Sequence, residues 1–313
     1  MLSGPKPTEG DAKFVTDSPM PNQQQHHTAN VQGAWLLKAF AAVFAAAIVC
    51  VYLTLCFLFY RGQWQIVLHP VKVASQEPAA KHLIRFAPDV SAQPQLTGEW
   101  LTAASGSHYS NLTILFFAGG DGPQASFAST LAALQNLGLN VFAFDYRGYG
   151  QSANVHPSQQ RMTEDGEAAW SYLTSIRGIS GTAILPYGIG VGASLAARLA
   201  LEHPEVPGVI LDQPYTDLRE VIERDTRFRF LPSGFLFHED FPLAKPLSQL
   251  QRPKLLIAAT GSSDPAAFRT AAAPKIIVSL AASSGPAFNE AVTRFLDQYL
   301  TVPSPTPSAT KPR

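Results

Sequence analysis

The stretch of this chain best suited to chemistry is a glycine-rich turn, Gly188–Ala193, with the sequence GIGVGA. The apolar residues before it, 183–187, predict a buried strand. Leu195–Ala200, after it, is rich in alanine and leucine, which favour helix. A sharp strand-to-helix turn needs glycine because its backbone is crowded. Such turns hold a nucleophile in a G-x-S-x-G frame, or they cradle a phosphate on backbone N–H groups.

In the first frame, the place of the nucleophilic serine is taken by Gly190. Ser194 offers a G-x-S-x-A match, but it lies one turn into the predicted helix, where its side chain should pack. The last histidine of the chain, His238, lies in an aromatic-rich stretch and is also expected to pack. A hydroxyl without a base is a weak nucleophile at neutral pH, so Ser194 and His238 are retained only as substitutes.

In the second frame, the turn satisfies G-x-G-x-x-[G/A], and Asp212 ends the next predicted strand nineteen residues after Ala193. This is the pattern of a dinucleotide site, in which the acid binds a ribose hydroxyl. Here the turn follows about the fourth strand, whereas that fingerprint usually opens a domain. Dinucleotide binding through Gly188–Ala193 is kept as an alternative.

The composition excludes several classes of function. Lys and Arg together number 23, as do Asp and Glu, so the net charge is zero and there is no basic footprint for nucleic acid. Both cysteines, Cys50 and Cys56, lie in one apolar run, and the eight histidines show no metal-ligand spacing. We therefore expect no metal, no cofactor and no nucleic-acid partner.

One segment predicts a membrane anchor. Ala39–Tyr60 contains 22 residues without a charge, and as a helix it is about 33 Å long, enough for a bilayer core. The run is too long and begins too late for a signal peptide. We expect an uncleaved, single-pass anchor at 34–60, with the side of the membrane undetermined, followed by a juxtamembrane linker at 61–80. The polar segments 1–33 and 301–313 are expected to be disordered.

Residues 81–300 alternate between buried apolar runs and helical patterns. The predicted strands are 83–86, 98–102, 112–117, 140–144, 183–187, 207–212, 254–258 and 275–280, and the predicted helices are 127–137, 163–176, 195–200, 216–224 and 288–300. This alternation predicts an α/β fold, a mostly parallel sheet flanked by helices. A lid-like insertion is predicted at 225–250. Ligands of such folds bind at the carboxyl ends of the strands.

The order of elements resembles the α/β-hydrolase fold, in particular its membrane-anchored, Bem46-like and serine-aminopeptidase-like branch. The most specific match is Asp145–Ser152, DYRGYGQS, which is similar to a D-Y-R-G-Y-G-x-S loop of that branch. Phe117–Gly122 stands where the family has an H-G-x-x-G loop, and Leu256–Pro265 resembles the strand and loop that carry the triad acid. The likeness covers about residues 80 to 300.

The resemblance implies a role for each matching position. Asp264 stands at the triad acid, and Pro286 stands near the triad histidine, in a loop that holds no histidine. Oxyanion-type backbone N–H groups belong to three residues: Val191, Gly119 and Gly120. With serine absent at Gly190, two of the three triad positions are empty.

The resulting expectation is a membrane-anchored α/β-hydrolase-fold protein that is non-catalytic and acts as a binding or scaffolding module. Its expected partners are the lipid bilayer and an acyl, ester or peptide ligand, and no protein partner is specified. The first alternative is an active serine-hydrolase-like enzyme (an esterase, thioesterase or peptidase) that uses substitute residues. The second alternative is the dinucleotide-binding protein.

Overall fold

The computed structural model describes residues 33–70, 83–88, 93, 95–215, 218, 222, 226–228, 230–261 and 265–300. The chain forms two compact units, residues 1–52 and residues 53–313. The predicted disordered segments, apart from Gly33, lie outside the described residues, as does most of the predicted helix 216–224.

The first helix, α1 (Gly33–Gly62), has 30 residues, which corresponds to a length of about 45 Å. Most of its apolar side chains are exposed, and it is long and apolar enough to cross a membrane. The predicted apolar run 39–60 therefore lies within a single helix, which extends it at both ends.

The core of the second unit is an eight-stranded sheet. Its strands are β1 (Leu83–Phe86), β2 (Leu96–Leu101), β3 (Thr113–Phe117), β4 (Asn140–Asp145), β5 (Ile184–Ile189), β6 (Val209–Asp212), β7 (Lys254–Ala259) and β8 (Lys275–Leu280). Their spatial order is β1-β2-β4-β3-β5-β6-β7-β8. β1 and β2 form an antiparallel hairpin at one edge, β2 pairs antiparallel with β4, and all the other pairs are parallel. The predicted α/β fold with a mostly parallel sheet is confirmed.

Helices connect and flank the strands. They are α2 (Trp64–Val67), α3 (Ala128–Asn136), α4 (Gln159–Ser171), α5 (Gly192–Glu202), α6 (Ser233–Leu236), α7 (Ala244–Gln249), α8 (Ala266–Thr270) and α9 (Pro286–Tyr299). Helix α4 begins four residues before the predicted start at Thr163, because Ser158 caps it: its hydroxyl accepts from the N–H of Arg161 at 3.3 Å.

The central strands are buried on both faces, as continuous apolar runs predict. Every residue of β3 is buried, and Phe116, Phe142 and Phe144 are fully inaccessible. In the pairing of β3 with β5, Phe117 is aligned with Gly188, and in the pairing of β5 with β6, Ile189 is aligned with Asp212. The loops after β3, β5 and β6 therefore meet at one edge of the sheet.

The segment after α1 is packed into the domain rather than forming a linker. Val67 and Leu68 are buried, and the N–H of His69 donates to the Gly120 carbonyl at 2.8 Å. The predicted linker 61–80 therefore contains core residues at its beginning, while residues 71–80 lie outside the described part of the chain.

Candidate active site

The turn between β5 and α5 has the backbone of a nucleophile elbow. Gly190 has φ +58°, in the left-handed region, and its N–H donates to the carbonyl of Asp212 at 3.1 Å. A Cβ built at this position would lie 3.5 Å from the Gly119 Cα and 3.6 Å from a ring carbon of Tyr215. There is room for a first side-chain atom, at the backbone strain that a serine in such an elbow carries.

The flanking glycines have a packing role. A Cβ on Gly188 would collide with the backbone of Gly192, and one on Gly192 would collide with the carbonyl of Phe117. Helix α5 thus lies directly against the ends of β3 and β5. These two positions require glycine because of close backbone approach, which explains the glycine pattern without a phosphate ligand.

Two side chains pack against the elbow and the loop after β3. The ring of Tyr215 lies over Gly190, and the Cδ2 of Leu68 is 2.8 Å from where a Cβ on Gly120 would stand. The space left between Gly190, Val191, Tyr215 and the insertion has a volume of about 10 Å³, the smallest that holds one water molecule. In this conformation the space is too small for an acyl or peptide group.

At the rim of this closed cleft, a tyrosine, an aspartate and a histidine form a chain. The Tyr215 hydroxyl donates to one carboxylate oxygen of Asp121, and the Nδ1 of His69 lies 3.3 Å from the other. Burial and the Asp121 carboxylate raise the pKa of Tyr215 well above its usual value. The phenol therefore stays protonated at neutral pH and is a poor nucleophile. Sequence reasoning did not single out these side chains: the loop that holds Asp121 was matched to the family for its backbone N–H groups, and His69 and Tyr215 lie in no known motif.

Beneath the elbow lies a buried polar cluster. Asp212 is fully buried at the end of β6 and accepts from the Tyr187 hydroxyl. Burial raises the pKa of Asp212, while the hydroxyls of Ser283 and Tyr187 oppose that rise. Gln213, with φ +40°, directs its Nε2 to the Ser283 hydroxyl at 3.4 Å. The loop after β8 therefore approaches the site through Ser283.

The motif residues of the loop after β4 hold the loop after β3, residues 118–122, in place. The Tyr146 hydroxyl donates to the Ala118 carbonyl at 3.3 Å, and the Tyr149 hydroxyl donates to the Gly120 carbonyl at 2.9 Å. Arg147 anchors the loop after β4 to α4, because its Nε lies 2.6 Å from the buried carboxylate of Asp165.

This geometry agrees with the comparisons to known proteins. The family model described as serine aminopeptidase, S33, matches residues 110–296, more than half of the chain. The chain belongs to the serine aminopeptidase S33 family.

Relatives of this S33 chain include the uncharacterized protein Rv2307c of Mycobacterium tuberculosis, 31% identical over 195 residues, which cover 61% of this chain and 66% of that protein. The alpha/beta hydrolase domain-containing protein 17C of Xenopus tropicalis is 30% identical over 164 residues, 51% of this chain and 49% of that protein. The matched region thus spans less than two thirds of these relatives' own lengths.

Among solved structures, an esterase of Pyrococcus furiosus superposes with a TM-score of 0.55 at 16% identity, covering 75% of this chain and 98% of that one. A proline iminopeptidase of Mycobacterium smegmatis gives a TM-score of 0.52 at 14% identity, covering 69% and 98%. At these identities the likeness shows the fold alone, and the fold is that of the α/β hydrolases.

The structure places the predicted site residues of this S33 chain as follows. Gly190, Val191, Gly119 and Gly120 meet at the elbow, and all four are buried. Asp264 lies outside the described residues. Pro286 is exposed in the first turn of α9. In the loop between β8 and α9, Ser283 faces Asp212.

The two predicted substitutes do not meet. The hydroxyl of Ser194, buried in α5, donates to the carbonyl of Pro242 at 2.7 Å. The Nδ1 of His238 lies 2.6 Å from the side-chain nitrogen of Gln63. Asp212, the acid of the dinucleotide alternative, is enclosed beneath the elbow and is not presented to a ribose.

Proposed function

We propose that this member of the S33 family is a membrane-anchored, non-catalytic binding or scaffolding module. The observation that carries the proposal is the closed elbow: Gly190 offers no hydroxyl, and the side chains around it, among them Tyr215 and Phe241, leave a space of about 10 Å³. A hydrolase needs room there for a carbonyl and its tetrahedral intermediate next to the oxyanion donors.

The groups around the elbow support the same proposal. The Tyr215 phenol is held protonated by a neighbouring carboxylate, while Ser194 and His238 are hydrogen-bonded elsewhere. An acyl, ester or peptide ligand would reach the N–H groups of the loop only after Tyr215 and Leu68 had moved. The anchor in this proposal is α1, on the strength of its length and apolar composition.

The test is activity of the unmodified full-length protein in mild detergent. We expect no labelling by a fluorophosphonate probe, and no hydrolysis of p-nitrophenyl esters or aminoacyl p-nitroanilides above the buffer rate. An active S33 enzyme, prepared in parallel, verifies the reagents.

Turnover that survives purification would contradict the proposal if one substitution removes it. The informative variants are Ser194→Ala, His238→Ala and Tyr215→Phe. Ser248→Ala is the matched control, because Ser248 is exposed on α7 and bonds only its own helix among the described contacts.

A further inference from the structure

The C-terminal end of α1 is attached to the insertion by the hydrogen bonds of one buried glutamine. Gln63, the residue after α1, is 1% exposed. Its Nε2 donates to the Leu236 carbonyl at 3.1 Å, and its Oε1 accepts from the N–H of His238 at 2.7 Å and from that of Glu239 at 3.3 Å. The side-chain amide of Gln63 is hydrogen-bonded through both its oxygen and its nitrogen. It holds the insertion in position strongly, because breaking these hydrogen bonds would leave buried polar groups unpaired.

Aromatic contacts extend this attachment. The Phe59 ring, buried on α1, lies 5.0 Å from that of Phe228, and the Tyr60 ring lies 4.7 Å from that of His238. Residues 53–62 of α1 belong to the same compact unit as the insertion. The insertion therefore lies at the level of the α1 terminus.

Two large aromatic side chains of the insertion are mostly exposed. Phe235 is 89% exposed and Phe230 is 79% exposed. Phe235 directly precedes Leu236, whose carbonyl Gln63 holds, and consecutive Cα atoms are about 3.8 Å apart. Exposed phenylalanines are costly in water but favourable at the boundary between lipid chains and headgroups.

Basic residues accompany these aromatics. Arg61 and Arg227 are exposed at the end of α1 and in the insertion, and Arg227 lies over the Phe228 ring at 5.4 Å. Cationic side chains beside interfacial aromatics suit the phosphate groups of lipids.

We propose that the insertion contacts the bilayer beside α1, with Phe235 and Phe230 inserted among the lipids. This inference rests on the proposed anchoring of α1 in the membrane. The segment that covers the closed elbow, through Phe241 and Leu243, is then held at the lipid surface rather than in free solution.

The test uses the full-length chain in vesicles of zwitterionic and anionic phospholipids. In a Cys50→Ala/Cys56→Ala background, Phe235→Cys is labelled with a nitrobenzoxadiazole fluorophore. We expect blue-shifted emission and quenching by lipids that carry a doxyl group on the acyl chain. Phe230→Cys is an independent second site, so that failure of one variant to fold leaves the test intact.

The matched control is Ile176→Cys. Ile176 is 74% exposed, but it lies at the far end of the helical segment that starts at Gln159, whose N–H donates to Glu239 of the insertion. We expect water-like emission and quenching by aqueous iodide there.

The outcomes separate this inference from the anchoring on which it rests. Iodide quenching without doxyl quenching at 235 and 230 overturns the inference. If the protein then still resists carbonate extraction, anchoring stands alone; if it is extracted, anchoring has failed too. Emission shielded from both quenchers means that protein rather than lipid covers the face, which also overturns the inference.

Discussion

At Gly190, the backbone keeps the geometry of a nucleophile elbow while the side chain is a single hydrogen atom. The left-handed φ and the hydrogen bond to the Asp212 carbonyl are formed without a serine. Below the turn, Ser283 lies beside the buried carboxylate of Asp212, at a position where a histidine could be introduced. The proposed non-catalytic role implies that side chains alone separate this site from a catalytic one.

We predict that activity can be built at this site by three substitutions. Gly190→Ser supplies the hydroxyl, Tyr215→Ala opens the space above it, and Ser283→His places an imidazole beside Asp212. A positioned general base contributes about 10²–10⁴-fold, so adding Ser283→His to the other two should raise p-nitrophenyl acetate hydrolysis by at least about 10²-fold.

The control for this design is Pro286→His in place of Ser283→His. Pro286 is exposed at the start of α9, so its histidine should add little. Equal activity of the two triple variants would show that the loop after β8 rearranges and that Ser283 has no special position.

A buried lysine gives a prediction on pH. Lys254 is fully buried at the start of β7, where its Nζ donates to the Ala272 carbonyl at 2.8 Å. Burial and the nearby Lys275 lower the pKa of Lys254 to about 8, below the value of about 10.4 in an unfolded chain. Between these values the unfolded state binds more protons, so stability rises with pH.

The expected gain in the free energy of unfolding between pH 8 and pH 10.4 is at most about 3 kcal/mol, from about 1.4 kcal/mol per unit of pKa. Melting temperatures in mild detergent should show this rise in the wild type and not in Lys254→Met. Parallel pH profiles of the two proteins would refute the assignment.

At the scale of elements, the insertion shares several hydrogen bonds with one residue outside it, Gln63. Gln63 forms hydrogen bonds with three residues of the insertion, Leu236, His238 and Glu239. Glu239 in turn accepts from the Gln159 N–H at 2.5 Å, at the start of α4. The insertion is thereby connected both to the end of α1 and to the main helical layer.

We predict that Gln63→Ala loosens the insertion. The substitution leaves buried backbone groups without partners, at a cost of about 1–3 kcal/mol each. Amide exchange at 236–239 should become faster, and the melting temperature should fall.

Gln65→Ala is the matched control, because Gln65 is exposed two residues away and should leave both measurements unchanged. Unchanged exchange in Gln63→Ala would show that other contacts hold the insertion.

At the scale of the whole molecule, the chain combines one long apolar helix with one α/β-hydrolase domain. The boundary of the domain unit falls at Leu53, within α1. Deleting residues 1–62 would therefore remove Phe59, which packs on Phe228. A deletion of residues 1–52 keeps this contact and is the better choice for isolating the domain.

We predict that the full-length protein stays in the membrane pellet after a high-salt and carbonate wash, because the apolar helix is held by hydrophobic burial rather than by charge. A Phe44→Arg/Ile48→Arg variant should be released, since each arginine costs about 2.5–3.5 kcal/mol at the centre of a membrane helix. Phe44→Leu/Ile48→Leu should behave as the wild type. Wild-type protein in the carbonate supernatant would exclude anchoring by α1.

The sequence by itself determined the features that depend on local pattern. The apolar run predicted α1, the alternation of apolar and helical stretches predicted the mostly parallel sheet, and the GIGVGA turn predicted the elbow at Gly190. These succeed because strand, helix and tight-turn preferences are set by neighbouring residues.

Only the tertiary structure decided what surrounds the elbow. His69 meets Asp121 across 52 positions, Tyr215 meets Asp121 across 94, and Gln63 meets His238 across 175. Leu68, expected in a linker, packs against Gly120, and Ser283 rather than Pro286 approaches Asp212. Such contacts depend on how the sheet brings distant loops to one edge, so no local pattern encodes them, and the closing of the cleft could not be predicted from the chain alone.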